Sequence, residues 1–287
     1  MRWIAVICAL TVGVPVLAQD MPIFTPSMSW PEVGAINQFG LLASQAANDV
    51  VDRRTDSEAR PLRAPDLTYT PSLARRRANF AQFVERSRRV DPVGAGQMSR
   101  LFATTDVISA MDRALAPVGL RTSNVADAYA VWWMSAWQAA HGDASTPSRG
   151  KAQAVRAQAS DALAATPEFA RADDAAKQEY AEALLVQAAL IDEMMSQYGS
   201  DPAVAPKLAA SVRQGARASG LDLDAMTLTE AGFIPAKKTG AAPAPGAPRE
   251  ALAATGDGKP GFGLLAAAGG AGLGAAFLIG KAMGRRG

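Results

Sequence analysis

Apolar positions cover nearly every side of one stretch near the middle of the chain, residues 124–141 (NVADAYAVWWMSAWQAAH). The stretch holds three of the chain's five tryptophans and contains neither glycine nor proline, so it predicts one uninterrupted helix. On a wheel of about 100° per residue one face is apolar, Trp133 and Trp137 widen that face, and Val131 and Met134 lie behind it. Because a helix that is apolar on all sides is normally buried, we expect it at the centre of a helical bundle.

Capping residues indicate where the surrounding helices begin. A side-chain acceptor stands directly before a proline five times, and this pair suits the first turn of a helix because the acceptor binds free backbone N–H groups and proline fixes φ. The five pairs are Thr70 before Pro71, Asp91 before Pro92, Thr146 before Pro147, Thr166 before Pro167, and Asp201 before Pro202. Further caps are Asp106, Asn124 and Asp173. Since residues 70–219 show no strand-like alternation of useful length, the sequence predicts an all-α bundle of about six to seven helices over residues 67–235.

Residues 19–66 give a mixed signal. Three prolines favour an extended start, residues 32–51 have a helical apolar pattern weakened by two glycines, and the polar residues 52–65 are typical of a flexible connector. We therefore expect an N-terminal segment that is partly flexible and contains a possible helix.

The first eighteen residues have the pattern of an export signal. Arg2 supplies a positive start, residues 3–17 are almost wholly apolar, and the run ends at Ala18 in a sequence that suits a signal peptidase. An uncleaved membrane helix is the alternative, although the run is shorter than the roughly 20 residues that a span requires. The sequence predicts cleavage after Ala18 and a periplasmic location.

Cysteine and histidine are almost absent, which excludes several kinds of chemistry. Cys8 is the only cysteine and lies inside the predicted signal, while His141 is the only histidine. After cleavage the chain would have no thiol for catalysis, no disulfide, and no set of His and Cys ligands for zinc, copper or haem. We predict neither a cofactor nor a metal. The net charge of +2 and the pI of about 8.8 give no reason to expect a nucleic acid partner.

The composition changes after residue 235, because residues 236–260 are rich in alanine, proline and glycine and predict a linker. Residues 261–280 carry no charge and would form a helix about 30 Å long, which matches the hydrocarbon core of a bilayer. The basic residues 281–287 predict a cytoplasmic C-terminus and therefore an anchor in the inner membrane. A cleaved sorting signal and a flexible tail are the alternatives. Small residues that favour a homo-oligomer include Gly270, Gly272, Gly274 and Gly280.

The predicted tryptophan helix also carries candidate binding residues. Tyr129, Trp133 and Trp137 could stack against the rings of a glycan, or they could pack in the protein core. Of these three side chains, we expect Trp133 and Trp137 to be the more exposed.

Polar residues lie at both ends of this helix, and we expect different roles for them. Asn124 and Asp127 fit the N-cap position and a capping-box position, where they would be structural. His141 ends the helix just before Gly142 and is a further candidate for binding. It lies roughly 21 Å from Asp127 along the helix axis, so the two side chains cannot act as a dyad.

Charged residues offer alternative sites. Glu179 and Glu182 lie one helical turn apart and either resemble the paired carboxylates of a glycoside hydrolase or belong to a solvated face. Asp222 and Asp224 lack the glycine-turn loop and further acidic ligands of a calcium site. Arginines also make the first predicted core helix basic, which suits an anionic lipid surface or a polyanion, or else a solvated rim. These arginines are Arg75, Arg76, Arg77, Arg86, Arg88 and Arg89.

Three segments resemble an uncharacterised family of exported helical proteins from proteobacteria. They are residues 71–80 (PSLARRRANF), 124–133 (NVADAYAVWW) and 214–226 (QGARASGLDLDAM). The resemblance covers roughly residues 67–235 and implies a discrete exported helical domain without an assigned activity.

Together these patterns predict an exported, membrane-tethered helical domain that binds or scaffolds in the bacterial envelope rather than catalysing a reaction. Its partner would be an unknown envelope protein or a glycan. The alternatives are a glycan-acting hydrolase that uses paired carboxylates, and a membrane-active oligomer that assembles through the glycine-rich helix.

Overall fold

The computed structural model describes residues 34–53, 66–89 and 91–236. The predicted signal peptide, the linker beyond residue 236, the predicted membrane helix and the basic tail lie outside these ranges. Within the three described ranges, no helix is both long enough and apolar enough to cross a membrane.

Helices make up most of the described chain, as the sequence predicts. They are α1 (Gly34–Arg53), α2 (Leu73–Arg88), α3 (Pro92–Thr104), α4 (Val107–Leu115), α5 (Val125–His141), α6 (Arg149–Ala164), α7 (Pro167–Arg171), α8 (Asp174–Tyr198) and α9 (Ala205–Ala218). A prediction of only helices is wrong in one respect, because β1 (Met226–Thr229) and β2 (Gly232–Pro235) form an antiparallel hairpin after α9.

The hairpin is short and is held by contacts from elsewhere in the fold. Leu228 pairs with Phe233, and Gly232 enters β2 with φ at +94°, a conformation that favours glycine. From α6, the amide of Gln158 donates to the carbonyl of Phe233 at 2.7 Å and accepts its N–H at 2.8 Å. Gln158 therefore takes the place that a third strand would have. Four-residue strands alternate too briefly to be recognised in the sequence.

Helix α5 lies at the centre of the fold. It packs against α6, α8 and α9, and fourteen of its seventeen residues are buried. Alanines on several sides allow the neighbouring helices to approach closely, while Tyr129, Trp132 and Trp133 fill the space between them. The apolar pattern of residues 124–141 thus corresponds to the core of the domain.

Side-chain caps begin several helices where the sequence predicts them. Asp91, Asp106, Asn124 and Asp173 each accept a hydrogen bond from a backbone N–H in the first turn of the helix that follows. The predicted start at Thr70 is wrong, because the chain before α2 is extended and pairs with the segment that leads into α5. Ser72 caps α2 instead, two residues later.

Two other helices begin a few residues after their acceptor–proline pair, and for α9 a second proline, Pro206, already predicts this delay. Helix α6 is capped by the hydroxyl of Ser148 rather than by Thr146. Asp201 accepts the N–H groups of Ala203 and Val204 in a turn, and α9 begins only after that turn. In both cases the chain passes through an extra turn before its regular helix starts.

Helix α1 belongs to this core. It packs against α6 and β2, and the amide of Asn48 donates to the carbonyl of Gly220 at 2.7 Å. The hydroxyl of Ser44 lies 3.3 Å from the hydroxyl of Tyr129. The helix predicted over residues 32–51 is therefore present, and its buried side is part of the domain.

Helices α2 and α3 form a hairpin with a small apolar core of its own. Phe83, Val84, Ala95 and Met98 pack there against Val186 of α8, apart from the cluster around α5. Among the helices, α8 is the element through which this hairpin joins the rest of the fold most extensively. Among the described residues, a groove along α2 and the end of α3 is open.

Candidate functional site

Trp133 and Tyr129 lie inside the protein. Trp133 is fully buried, its ring stacks on Phe233 at 4.4 Å, and its Nε1 donates to the sulfur of Met226 at 3.1 Å. Tyr129 is also buried, and this burial raises the pKa of its hydroxyl, while the hydrogen bond with Ser44 opposes the shift. The expectation that Trp133 is exposed is therefore wrong, because the β-hairpin covers it. Neither ring presents a surface to a ligand.

Trp137 and His141 form a partly exposed pair at the end of α5. Their rings stack at 4.4 Å, and Nε1 of Trp137 donates to the carbonyl of Met226 at 2.9 Å. Nδ1 of His141 lies 2.9 Å from the carbonyl of Trp137, while Nε2 lies 3.9 Å from Asp224. Asp224 in turn binds Arg213. The polar atoms of this pair are thus directed at the protein itself.

Asn124 and Asp127 hold the start of α5. Oδ1 of Asn124 accepts the N–H groups of Ala126 and Asp127. The carboxylate of Asp127 accepts the N–H of Arg121 at 2.8 Å and pairs with the guanidinium of Arg156 on α6. Burial raises the pKa of Asp127, and the hydrogen bonds from Arg156 and Arg121 oppose that shift. The site links α5 to α6 and has no surface for a substrate.

The paired carboxylates on α8 have separate environments. Glu182 is 1% exposed and accepts hydrogen bonds from Arg76 at 2.9 Å, Asn79 at 2.8 Å and Gln178 at 2.8 Å. Glu179 is half-buried and lies 3.7 Å from Arg86. Because Glu182 is occupied by three donors, it is not placed to exchange a proton with a bound glycan.

Acidic residues do not converge on a metal site in the part of the chain that the structure describes. No group of three or more His, Cys, Asp or Glu side chains is arranged there to hold a metal ion. Asp224 instead binds Arg213 at 2.9 Å and Arg217 at 2.6 Å. Asp222 caps the turn before β1 by accepting the N–H of Asp224.

A buried polar network fixes the start of α2 on α8. Gln178 accepts from the N–H of Ser72 at 3.0 Å and from Nε of Arg75 at 2.9 Å, and it donates to the carbonyl of Ser72 at 2.9 Å. Arg76 reaches Glu182 and, at 3.4 Å, also Asp106 at the start of α4. The two arginines that hold this end of α2 thus have structural roles.

An open groove of about 730 Å³ runs along α2 and the end of α3, and we call it the α2–α3 groove. Its apolar residues include Phe80 and Phe102, whose rings stack at 4.2 Å, and Leu73, which is 63% exposed. Guanidinium groups also line it. The residues around it are Leu73, Arg76, Arg77, Phe80, Ala81, Val84, Glu85, Arg88, Ser99, Phe102, Ala103, Thr104, Thr105 and Asp106. An apolar surface with cationic groups beside it can hold an apolar ligand that carries negative charge.

The charges along α2 are strongly unbalanced. The helix contains Arg75, Arg76, Arg77, Arg86 and Arg88 but only Glu85 as an acidic residue. Arg77 is exposed and has no ion-pair or hydrogen-bond partner among the residues that the structure describes. Part of the arginine cluster therefore remains available to a ligand, while the rest holds the fold.

The arginines of α2 are predicted from the sequence, but the groove beside them is not. The signal was present in the spacing of Leu73, Arg77, Phe80, Val84 and Arg88, which repeats every three or four residues along one face of α2. The contribution of Phe102 has no such local signal, because it depends on how α3 folds back. Four other candidates, Gly270, Gly272, Gly274 and Gly280, lie outside the described residues.

A protein-family model matches residues 34–234, well over half of the chain, and its description is "Family of unknown function (DUF6683)". The match begins at residue 34 and so includes α1. No curated protein and no solved structure matches the chain.

Proposed function

The chain belongs to the family of unknown function DUF6683, and from that premise we propose that it is an exported, membrane-tethered domain that binds a ligand through the α2–α3 groove without catalysis. The observation that carries this proposal is the groove itself. Its volume lies within the roughly 300–1,000 Å³ of common ligand sites, and it combines an apolar floor with cationic side chains.

The hydrogen bonds and exposure of the charged residues support binding rather than hydrolysis. Glu182, the deepest carboxylate on α8, is saturated by Arg76, Asn79 and Gln178, and it stabilises the contact between two helices. In the groove, by contrast, Leu73 and Arg77 are exposed, and Arg77 has no ion-pair or hydrogen-bond partner among the described residues. An exposed apolar surface that is rimmed by charged side chains is typical of an interaction site.

Photocrosslinking in cells tests the groove in the full chain. A photoreactive amino acid at Ala81 or Ala103, both exposed in the groove, is expected to form an adduct of defined mass. The same amino acid at Ala157, which is exposed on α6, is the matched control and is expected to form none. Equal adducts at all three positions, or adducts at none of them, would contradict a specific binding role for the groove.

The tether is the second part of the proposal, and its support is the sequence alone. One orientation, with the binding domain in the periplasm and the C-terminus in the cytoplasm, fits three features of the sequence. They are the export signal, the uncharged residues 261–280 and the basic residues after them. Rows of small residues in the same segment favour self-association in the membrane.

Membrane fractionation tests the tether. The full chain is expected to stay in the membrane pellet after a high-salt wash, because salt weakens ionic contacts but not the insertion of an apolar helix. A chain that ends at Pro260 is the matched control and is expected in the wash. Release of the intact full chain by salt would rule out a stable span.

A further inference from the structure

We propose that the occupant of the α2–α3 groove is an acidic amphipathic helix of a partner protein. This inference rests on the proposed function and specifies its ligand. In this kind of recognition the apolar face of the bound helix lies in a groove, and charged residues beside that face contact the rim of the groove.

The shape of the groove fits a helix. Its lining positions on α2 recur every three or four residues from Leu73 to Arg88, so the groove follows the whole helix for roughly 23 Å. Phe80, Val84 and Phe102 form an apolar floor between the two ends. A third helix of about four turns, laid along this floor, would cover the open side of the α2–α3 hairpin.

The charges select an acidic helix. Arg77 lies near one end of the groove and Arg88 near the other, roughly 16 Å apart along α2, whereas Arg76 is already paired with Glu182 and Asp106. Among the described residues, Arg77 has no ion-pair or hydrogen-bond partner and Arg88 pairs with Glu85 alone, in a bridge whose side chains are both more than half exposed. Acidic side chains about three turns apart on a partner helix would reach both ends.

A lipid surface fits the same groove less well. Val84 in the floor is only 6% exposed, so a flat bilayer would meet the rim and not the floor. The anionic head group of a single lipid could reach one end of the groove but not both, given their separation. A helix contacts the floor and both ends at once.

Fluorescence anisotropy with designed peptides tests the inference on the full chain in neutral detergent. The probe is a labelled amphipathic peptide of about four turns with a leucine face flanked by glutamates, and we expect it to bind. A peptide of the same composition in scrambled order, and one with lysine in place of glutamate, are expected not to bind. Arg77→Glu is expected to raise the Kd for the acidic peptide about tenfold, because it reverses a charge at the rim. Arg171→Glu, at an exposed arginine on α7, is the matched control and is expected to leave the Kd unchanged.

Several outcomes would overturn the inference. If the scrambled peptide binds equally well, binding depends on charge in general and not on an amphipathic helix. If the lysine peptide binds equally well, the arginines do not select an acidic ligand. An adduct between phosphatidylglycerol and a photocrosslinker at Ala81, without binding of the acidic peptide, would assign the groove to a lipid. If crosslinked adducts still form in cells at Ala81 and Ala103 while the acidic peptide does not bind, the binding function stands and only its helical ligand is wrong.

Discussion

Replacing Trp133 by alanine is expected to lower the free energy of unfolding by about 3–5 kcal/mol. The side chain is fully buried, stacks on Phe233 and donates its N–H to Met226, so its removal leaves a cavity and takes away one of the contacts between the β-hairpin and α5. Since domains of this size are stable by about 5–15 kcal/mol, the loss would be a large part of the total. Urea unfolding of the full chain, followed by circular dichroism, measures it.

Trp137→Ala is the matched control for this variant. Trp137 lies one helical turn from Trp133 and is partly exposed, and its ring also contacts Phe233, at a centroid distance of 6.3 Å. Its truncation is expected to cost clearly less, because less apolar surface returns to water and no closed cavity forms. Equal losses for the two variants would contradict the view that the hairpin seals the core over Trp133.

Removing the buried carboxylate of Glu182 is expected to have an effect of similar size. In Glu182→Leu, Arg76 loses a partner at 2.9 Å while its side chain remains only 13% exposed, and Asn79 and Gln178 lose an acceptor. Breaking one half of a buried ion pair typically costs about 3–5 kcal/mol, and the remaining contact of Arg76 with the exposed Asp106, at 3.4 Å, offsets only part of that loss. The same unfolding measurement reports the change.

A double-mutant cycle separates the pair from its surroundings. Arg76→Met combined with Glu182→Leu is expected to recover most of the loss, because no buried charge then remains unpaired. The exposed pair Glu85 and Arg88, at 3.2 Å, is the matched control and is expected to contribute less than about 1 kcal/mol. A double variant as unstable as Glu182→Leu alone would show that the pair does not act as a unit.

The sequence predicts the helices well because their signals are local. The caps at Asp91, Asp106 and Asn124 depend on contacts within three residues, and the structure has helices beginning directly after each of them. The apolar pattern of α5 predicts burial for a similar reason, since a helix that is apolar on every side has no other stable position.

The exposure of Trp133 could not be predicted in this way. A helical wheel shows which direction a side chain points but does not show which element covers it. The covering residues Met226 and Phe233 lie about a hundred residues further along the chain, in strands too short to recognise. The assignment of Trp133 to a flank of the apolar face therefore gave the wrong exposure.

The burial of Glu182 on α8 could not be predicted from the sequence either. Glu182 follows Lys177 and Glu179 in a charged stretch that is typical of a solvated surface, yet it is almost completely buried. Its donors Arg76 and Asn79 come from α2, more than a hundred residues earlier, and no local spacing indicates that contact. The groove beside this network depends on the same folding of α2 onto α8, so it too becomes visible only in three dimensions.

The double hydrogen bond between Gln158 and Phe233 has a consequence for mechanical load. The described chain ends at Ala236, one residue after β2, so tension applied beyond that point reaches β2 first. Phe233 is paired with Leu228 on one side and with Gln158 on the other, and the N–H of Ala236 donates to the carbonyl of Ala225. These bonds would have to break before the hairpin could separate from α6, and that separation would then uncover Trp133 on α5.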